Sequence, residues 1–382
     1  MFNIRVIYLE MIDWNHIEST VLDCFVDGLR QTQQSPIYHA EGDVYVHTMM
    51  VVEALKALSE YQELNELQQH ILYVAALLHD IGKIPTTVFE FGDWHTPHHA
   101  PTGSRMAREL LWKEYGLCGQ KELVEIREAI CLLIRYHSFP PVAIENKNAR
   151  VRLHRMAANG LLNPWFSVKM LCILCKADML GRKCIDQQEV LEKIALCEEL
   201  AKEEGCYEAC YPFPSPYTRR AFLSGRGVWK DQDLFDDTWG EVILMSGLPG
   251  TGKDYWIEHS VPNLPMISLD EIRKEHKIAP TEEQGRVANI AREQAKVFLR
   301  KHQSFVWNAT NLSSQMRESL INLFETYHAH VRIVYLETEW QTMLKRNHSR
   351  EAMVPQPVIE DMLSKLVLPE AYEARIVEWL YV

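Results

Sequence analysis

The sequence predicts two domains, an all-helical first half followed by an α/β second half built on a parallel sheet. Three observations carry that expectation. Apolar residues recur at helical spacing in segment after segment of the first 205 residues. From Glu241 onward, strand-like apolar runs alternate with helical patterns, which is how parallel sheets are written in sequence. Between the two, Tyr211 to Gly240 is broken by Pro212, Pro214, Pro216, Gly225 and Gly227, which interrupt any helix and mark a linker or strap. A chain of 382 residues is comfortable for two domains.

In order, residues 14–30, 47–60 and 67–78 read as helices, the last ending in Leu77-Leu78-His79-Asp80-Ile81-Gly82-Lys83. Helical patterns recur at 104–117, 121–136, 164–182 and 187–204, with loops around 84–103 and 138–148. The expected organisation is a helical extension over 1–30, a helical domain over 31–205, the strap over 206–239, and an α/β domain over 240–382 with a lid near 345–353. In that last domain 242–246, 265–269, 304–309 and 331–337 read as strands, and 254–260, 283–302, 314–327 and 339–347 as helices.

Composition narrows the class. The chain is 47% hydrophobic and 24% charged, ordinary for a soluble protein, and no run approaches the length of a membrane span. The start, Met1-Phe2-Asn3-Ile4-Arg5, has Glu10 and Asp13 within its apolar stretch and does not read as a signal peptide. Nine cysteines at irregular spacing fit reduced thiols, so a cytoplasmic location is expected. A net charge of −12 argues against salt-driven wrapping of long nucleic acid, though not against a local patch holding a few phosphates.

Two constellations carry chemistry. In the helical half, His47 precedes the pair His79-Asp80, then come His95, His98 and His99, His137 and finally Asp178. Imidazoles with carboxylates suit borderline divalent metals such as Mn, Fe, Co, Ni or Zn, and one or two such ions would serve phosphoryl hydrolysis. Cys172 and Cys175, with Cys206 and Cys210, could suggest zinc, but an apolar helix around the first two favours core thiols. Lys147, Arg150, Arg152 and Arg155 read as a solvated helix face or, less simply, as a phosphodiester dock.

This pattern resembles the HD phosphohydrolase superfamily over about residues 30–185, most specifically in Leu-His-Asp-Ile-Gly-Lys and Ala-Asp-Met-Leu-Gly-Arg. The resemblance implies that His47, His79, Asp80 and Asp178 hold one metal, and that His99 and His137 hold a second with Asp80 bridging. His98 stands where the family often has Gly, which leaves His98 or His99 open as ligand. Lys83 would sit beside the site as a phosphate contact, or be a solvated helix-end lysine.

In the second half, Gly247-Leu248-Pro249-Gly250-Thr251-Gly252-Lys253-Asp254 follows an apolar strand and opens a helix. Glycines let backbone N–H groups converge on an anion, the helix end adds its dipole, and Lys253 reaches the terminal phosphates. The loop therefore predicts a nucleoside triphosphate with Mg²⁺. Its eighth position departs from the pattern, which asks for Ser or Thr where this chain has Asp254. Asp270 in Ser268-Leu269-Asp270-Glu271-Ile272-Arg273 can accept a proton from an attacking hydroxyl, with Arg273 holding a neighbouring phosphate; the plainer reading is a helix cap. Arg346 and Arg350, in a basic turn near the C-terminus, suit a lid over transferring phosphate.

The loop, D-x-x-R, Thr310-Asn311-Leu312 and R-N-x-x-R together resemble the kinase domain of phage-type polynucleotide 5′-kinases over about residues 240–365. The resemblance implies Asp270 as general base, Arg273 as contact to the acceptor phosphate, Arg346 and Arg350 as lid cations, and ATP or another NTP as donor. Asn308 stands where relatives often carry Asp, so Asp254 and Asn308 read as one exchange that leaves the charge around Mg²⁺ unchanged.

An HD phosphohydrolase followed by such a kinase resembles the bacterial fused HD–polynucleotide kinases that heal broken nucleic-acid ends. That resemblance implies phosphorylation of 5′-OH ends and removal of 2′,3′-cyclic, 2′- or 3′-phosphates from single-stranded or broken RNA or DNA, with a ligase as partner enzyme and no membrane. In the strap, Arg219, Arg220, Arg226, Trp229 and Lys230 mix cations with aromatics and would either guide a strand or form an ordinary linker. Two other readings stay open: a small-molecule kinase fused to a nucleotide phosphohydrolase, and a nucleotide sensor whose kinase Asp254 has silenced.

Overall fold

In the computed structural model the chain divides into two compact units. One runs to Tyr211 without Cys118–Lys121; the other comprises that segment and Pro212–Val382. Residues 11–279, 282, 284–350 and 353–382 are described. The first ten residues, which carry most of the signal-peptide reading, and Glu351 and Ala352 of the expected lid lie outside them.

The first unit is helical. Its helices are α1 (Trp14–Thr20), α2 (Val26–Gln31), α3 (Val44–Ala57), α4 (Ser59–Gln62), α5 (Glu66–Leu78), α6 (Lys83–Thr86), α7 (His99–Lys113), α8 (Lys121–Tyr136), α9 (Ala149–Ala158), α10 (Val168–Leu180) and α11 (Gln187–Glu203). Side chains written into the sequence start several of them. Asp43 caps α3 through Val46 N, Asn65 and Gln68 form a capping box on α5, and Ser167 caps α10 through Met170 N. Apolar faces of α3, α5, α8 and α10 meet in one core, where Leu72, Leu78, Ile130, Leu133, Leu171 and Leu174 are fully buried. Inside the expected loop 84–103 lies a short antiparallel hairpin, β1 (Val88–Glu90) paired with β2 (Asp93–His95). Across α7 and α8, Glu128 receives Arg108 at 2.7 Å and Arg127 at 2.8 Å, all three buried.

The second unit is α/β. A helix does form in the strap, α12 (Pro216–Leu223), correcting the expectation that its prolines and glycines exclude one. Pro216 sits in the first turn, where its missing N–H costs nothing, and Ser215 caps it through Thr218 N. Then follow β3 (Glu241–Ser246), α13 (Lys253–Ser260), β4 (Met266–Ser268), α14 (Leu269–His276), α15 (Gln284–Arg300), β5 (Phe305–Asn308), α16 (Ser314–Thr326), β6 (His330–Glu337), α17 (Trp340–His348), α18 (Gln356–Ser364) and β7 (Ile376–Tyr381). All five strands are parallel, in the order β4-β5-β3-β6-β7. The four expected strands are β3 to β6, and β7 is an additional edge.

Alternation along β3 sets the two layers. Val242 and Leu244 pack with Val287 and Leu299 of α15 and Phe324 of α16, while Ile243 and Met245 pack with Ile257 of α13 and Leu336 of β6. A central parallel strand covered on both faces needs such a continuous apolar run. Its C-terminal end delivers the chain to Gly247, at the point where strand order turns from β5 to β6.

Candidate functional site

In the first unit, five helix ends converge. His47 lies in the first turn of α3, His79 directly after α5, His99 at the start of α7, His137 directly after α8, and Asp178 in the last turn of α10. Asp80 stands in the middle. Its Oδ2 is 3.5 Å from His47 Nε2 and 3.2 Å from His79 Nε2, and Asp178 Oδ1 lies 3.1 Å from His47 Nε2. Its Oδ1 faces the other way, 3.6 Å from His99 Nε2 and 3.8 Å from His137 Nε2. Two ligand groups thus share one carboxylate.

The outer nitrogens fix the tautomers. Nδ1 of His79, His99 and His137 hydrogen-bonds to the carbonyls of Ala76, Thr96 and Ile134 at 2.7, 2.9 and 2.7 Å. A carbonyl can only accept, so Nδ1 carries a proton, and Nε2 is the nitrogen that presents a lone pair inward when the ring is neutral. His99 and His137 then oppose two lone pairs at 3.2 Å, and His47 and His79 bring their Nε2 atoms to 3.4 Å. Acceptors crowd like this when a cation belongs between them. Both oxygens of buried Asp80 also lack a hydrogen bond of acceptable geometry, although Lys83 Nζ is 2.7 Å from Oδ2. The donor set therefore fits divalent metal. Burial pushes the Asp80 carboxyl up, but Lys83 and His79 more than offset it and hold it well below its usual range; Asp178 is held down likewise against burial, chiefly by Arg182. Burial, with His99 and His79 nearby, drives His137 down to about 3, so it stays neutral and able to ligate.

The structure also separates His99 from His98. His98 is exposed and takes the left-handed conformation, φ 58°, that caps α7, which explains why a glycine suits that position; His99 points its Nε2 at Asp80. His95 is exposed at the end of β2 and is not among these groups. Lys83 is no solvated helix-end lysine: it is buried and also donates to Gln34 at 2.8 Å. Cys172 and Cys175 are buried core thiols, and the Cys175 thiol donates to His137 O at 2.9 Å. Of the basic cluster, Arg150 pairs with Glu204 at 3.2 Å and Arg152 lies over the Phe139 ring.

Three supporting residues escaped the sequence. Glu41 Oε1 lies 3.1 Å from His47 Nδ1 and accepts from His39 Nδ1 at 2.8 Å, a charge placed to orient the first imidazole. Arg182 clamps Asp178 with two hydrogen bonds, 3.0 and 2.6 Å. Exposed Ser138 sets its hydroxyl 3.4 and 3.3 Å from Nε2 of His99 and His137. Arg182 and Ser138 adjoin predicted ligands in sequence; Glu41 carries no such signal.

In the second unit, Gly247, Gly250 and Gly252 adopt φ of 137°, 83° and 89°, which turns the loop sharply ahead of α13. A Cβ at Gly247 would meet Leu336 O at 2.5 Å, so only glycine fits. Pro249 and Thr251 are buried in the turn, Thr251 donating to Leu248 O at 2.9 Å. Lys253 Nζ folds back onto the carbonyls of Gly247 and Leu248 at 2.9 and 2.8 Å. Burial pushes the Lys253 ammonium down to about 8, with Asp254 opposing that shift.

Asp254 Oδ1 accepts a hydrogen bond from Asn308 Nδ2 at 2.7 Å, and its Oδ2 is 3.8 Å from Arg350 Nη2. Arg346 Nη1 lies 3.7 Å from the Cβ position at Gly252. Asn347, between the two lid arginines, clasps Val354 through both its amide atoms. Asp270 is not the helix cap, a role taken by Ser268 through Glu271 N; it pairs with Arg273 at 3.0 Å and its side chain is 78% exposed. Thr310-Asn311-Leu312 ties the sheet together: Thr310 O accepts from Gly247 N, and Asn311 donates to Met245 O. The strap arginines are structural too. Arg220 and Arg226 pair with Glu325 at 2.7 and 2.8 Å, and Arg219 donates to Arg375 O.

Fold and site define a helical phosphohydrolase-type unit followed by a P-loop kinase-like unit. The comparisons agree. The HD-domain family matches residues 44–162, and the AAA-domain family matches residues 242–369. HD domains bind divalent metals and P-loop domains use nucleotide, so the chain is a fused phosphohydrolase and kinase-like protein. Asp178 lies beyond the HD-domain match, yet the fold brings it to the cluster. No described helix is long and apolar enough to cross a membrane.

Proposed function

We propose that the protein heals broken nucleic-acid ends. The kinase unit phosphorylates a 5′-OH with a nucleoside triphosphate, and the HD unit removes 2′,3′-cyclic, 2′- or 3′-phosphates. The observation that carries this reading is the open acceptor side: the proton-accepting carboxylate of Asp270 is 78% exposed with Arg273 beside it. A small metabolite would call for an enclosing pocket around that carboxylate. A strand end needs the opposite, an accessible base with an arginine to hold its own first phosphate.

In the kinase reaction the 5′ oxygen attacks the γ-phosphorus, its proton passes to Asp270, and the bond to the departing nucleoside diphosphate breaks. Lys253 exchanges its loop carbonyls for phosphate oxygens, and Arg346 and Arg350 offset charge on the group in flight. In the HD unit, a divalent metal held at the cluster would supply a Lewis acid that activates water and offsets phosphoryl charge. His47, His79, Asp80 and Asp178 would hold one ion and His99 and His137 a second beside Asp80, with Arg182 keeping Asp178 ionised and oriented and Lys83 keeping a positive charge beside Asp80. Strand cleavage that leaves a cyclic phosphate and a 5′-OH calls for this pair of activities.

The test is end analysis of a short RNA bearing 5′-OH and 2′,3′-cyclic phosphate ends, run with wild type, Lys253→Ala and Asp80→Ala. Each variant should lose one end reaction and keep the other. No reaction at either end by the wild type, with turnover of nucleosides or free nucleotides instead, would replace this reading with a small-molecule one.

A further inference from the structure

The eighth position of the phosphate-binding loop is the residue that the function so far leaves unexplained. In the usual arrangement the loop gives Mg²⁺ a hydroxyl from Ser or Thr, and a neighbouring strand end supplies the carboxylate. Here the loop carries the carboxylate, Asp254, and the strand end carries an amide, Asn308. The two side chains are in contact, with Asn308 Nδ2 donating to Asp254 Oδ1 at 2.7 Å.

The chemistry of the pair fixes its direction. An ionised carboxylate can only accept, so the amide must offer its NH₂ to Asp254. The hydrogen bond that usually runs from loop hydroxyl to strand carboxylate is kept and reversed. The number of negative charges, one, is also kept. The local environments suit the exchanged residues. Asp254 is the second residue of α13, where the positive end of the helix dipole favours an anion. Asn308 closes β5 in register with Ser268, is only 8% exposed, and bears no charge that burial would penalise.

Position does change. The Asp254 side chain is 63% exposed, and its second oxygen faces the lid arginine Arg350 at 3.8 Å. A Ser or Thr hydroxyl, shorter and neutral, would not draw that arginine. We propose that Asp254 and Asn308 are a reciprocal exchange of the usual pair, and that Asp254 is the carboxylate this pair offers to Mg²⁺ at the nucleotide site. The proposal rests on nucleotide use by this unit and on no particular acceptor, so the end-healing reading can fail without touching it.

A swap experiment tests this. Binding of a non-hydrolysable ATP analogue to the full chain is measured by calorimetry with and without Mg²⁺, for wild type, Asp254→Ser, Asn308→Asp and the double variant, with Lys253→Ala marking heat that does not come from the loop. Thermal unfolding without ligand reports whether each variant is folded. Asp254→Ser should weaken Mg²⁺-dependent binding at least about tenfold while leaving Mg²⁺-free binding no weaker, because the anion is gone and the loop is not. The double variant should return to within about threefold of wild type, since it restores the usual pair. Asn308→Asp alone sets two carboxylates against each other, so its thermal midpoint should fall without Mg²⁺ and rise with Mg²⁺ by more than wild type does. Unchanged or tighter binding by Asp254→Ser would overturn the proposal and indicate that Asp254 repels nucleotide, as a silenced kinase would. A double variant no better than Asp254→Ser would overturn it as well.

Discussion

Glu41 reaches across from the segment before α3 to within 3.1 Å of His47 Nδ1, while the ring's other nitrogen faces Asp80 and Asp178. Removing such a partner frees the imidazole to rotate and to change tautomer. Glu41→Ala is expected to lower Mn²⁺ affinity about 10- to 100-fold with the fold intact, as read by calorimetric titration. A different buried carboxylate governs acid stability. Burial pushes the Glu128 carboxyl up, but the guanidinium groups of Arg108 and Arg127 more than offset that and hold it below its ordinary value. A depressed value in the folded state means the stabilisation is fully present above the unfolded glutamate value, about 4.3, and is lost as pH falls through the folded one. Glu128→Gln should cost about 3–5 kcal/mol at pH 7, because two buried cations lose their anion, and should flatten the acid limb; urea unfolding at pH 7 and pH 3 checks both. The cluster that could hold metal was legible as a candidate because His79-Asp80 and Ala177-Asp178-Met179 are short, chemically unusual strings. The Glu128 cluster was not, since Arg108 and Glu128 meet only when α7 packs on α8; Glu41 and Arg182 act on ligands within six residues, but a lone Glu or Arg at such spacing carries no signal of that role.

At the scale of elements, Gly82 decides where α7 can lie. A Cβ there would sit 2.0 Å from His99 O and 2.5 Å from Gly103 N, although the backbone itself, φ −66°, would accept any residue. Gly82→Ala must therefore move the start of α7, and with it His99. The expected result is a loss of about 1–3 kcal/mol in stability, from overpacking, with the His99–His137 group affected more than the His47–His79 group. Two-step metal titrations that lose only the weaker step would show it. Glycine in the Ile-Gly-Lys stretch is thus a packing requirement, visible in sequence only as a motif. Strands β3 to β6 were readable from continuous apolar runs between turn signals. The edge strand β7, Ile-Val-Glu-Trp-Leu-Tyr, was not: it alternates poorly, and pairing with β6 from Arg332–Ile376 to Glu337–Tyr381 is what makes it a strand. The capping role expected of Asp270 went to Ser268 because Leu269 already belongs to the helix. Behind the Thr310-Asn311-Leu312 turn, Arg317 is fully buried and forks onto Glu373 at 2.6 and 2.7 Å while donating to Asn311 O and Val367 O. Arg317→Met should leave the buried Glu373 without its cation and destabilise the second unit by about 3–5 kcal/mol.

At the scale of the whole chain, two compact units with separate cores and separate ligands need not unfold as one. Calorimetric scans are expected to show ligand effects that divide between them. Chelator should lower the transition of the helical unit alone. A non-hydrolysable nucleotide with Mg²⁺ should raise that of the α/β unit alone, by about 2.7 kcal/mol at a hundred times its dissociation constant. A single transition shifted by both ligands would show the units to be thermodynamically coupled. The broad division into a helical and an α/β half was legible because hydrophobic period changes at the strap. The segment Cys118–Lys121, which groups with the second unit, was not, since nothing local distinguishes it from the turn between two helices.

The hydrogen bonds from His79 and His137 to Ala76 O and Ile134 O end on carbonyls in the last turns of α5 and α8. Helix ends ordinarily fray, and their amides exchange with solvent ahead of the interior. A ligated metal would rivet both termini through the rings, so the final-turn amides of α5 and α8 should become among the slowest to exchange in deuterium, and stripping the metal should restore their ordinary rates. The chain would then carry its own gauge of metal occupancy, readable far from any substrate.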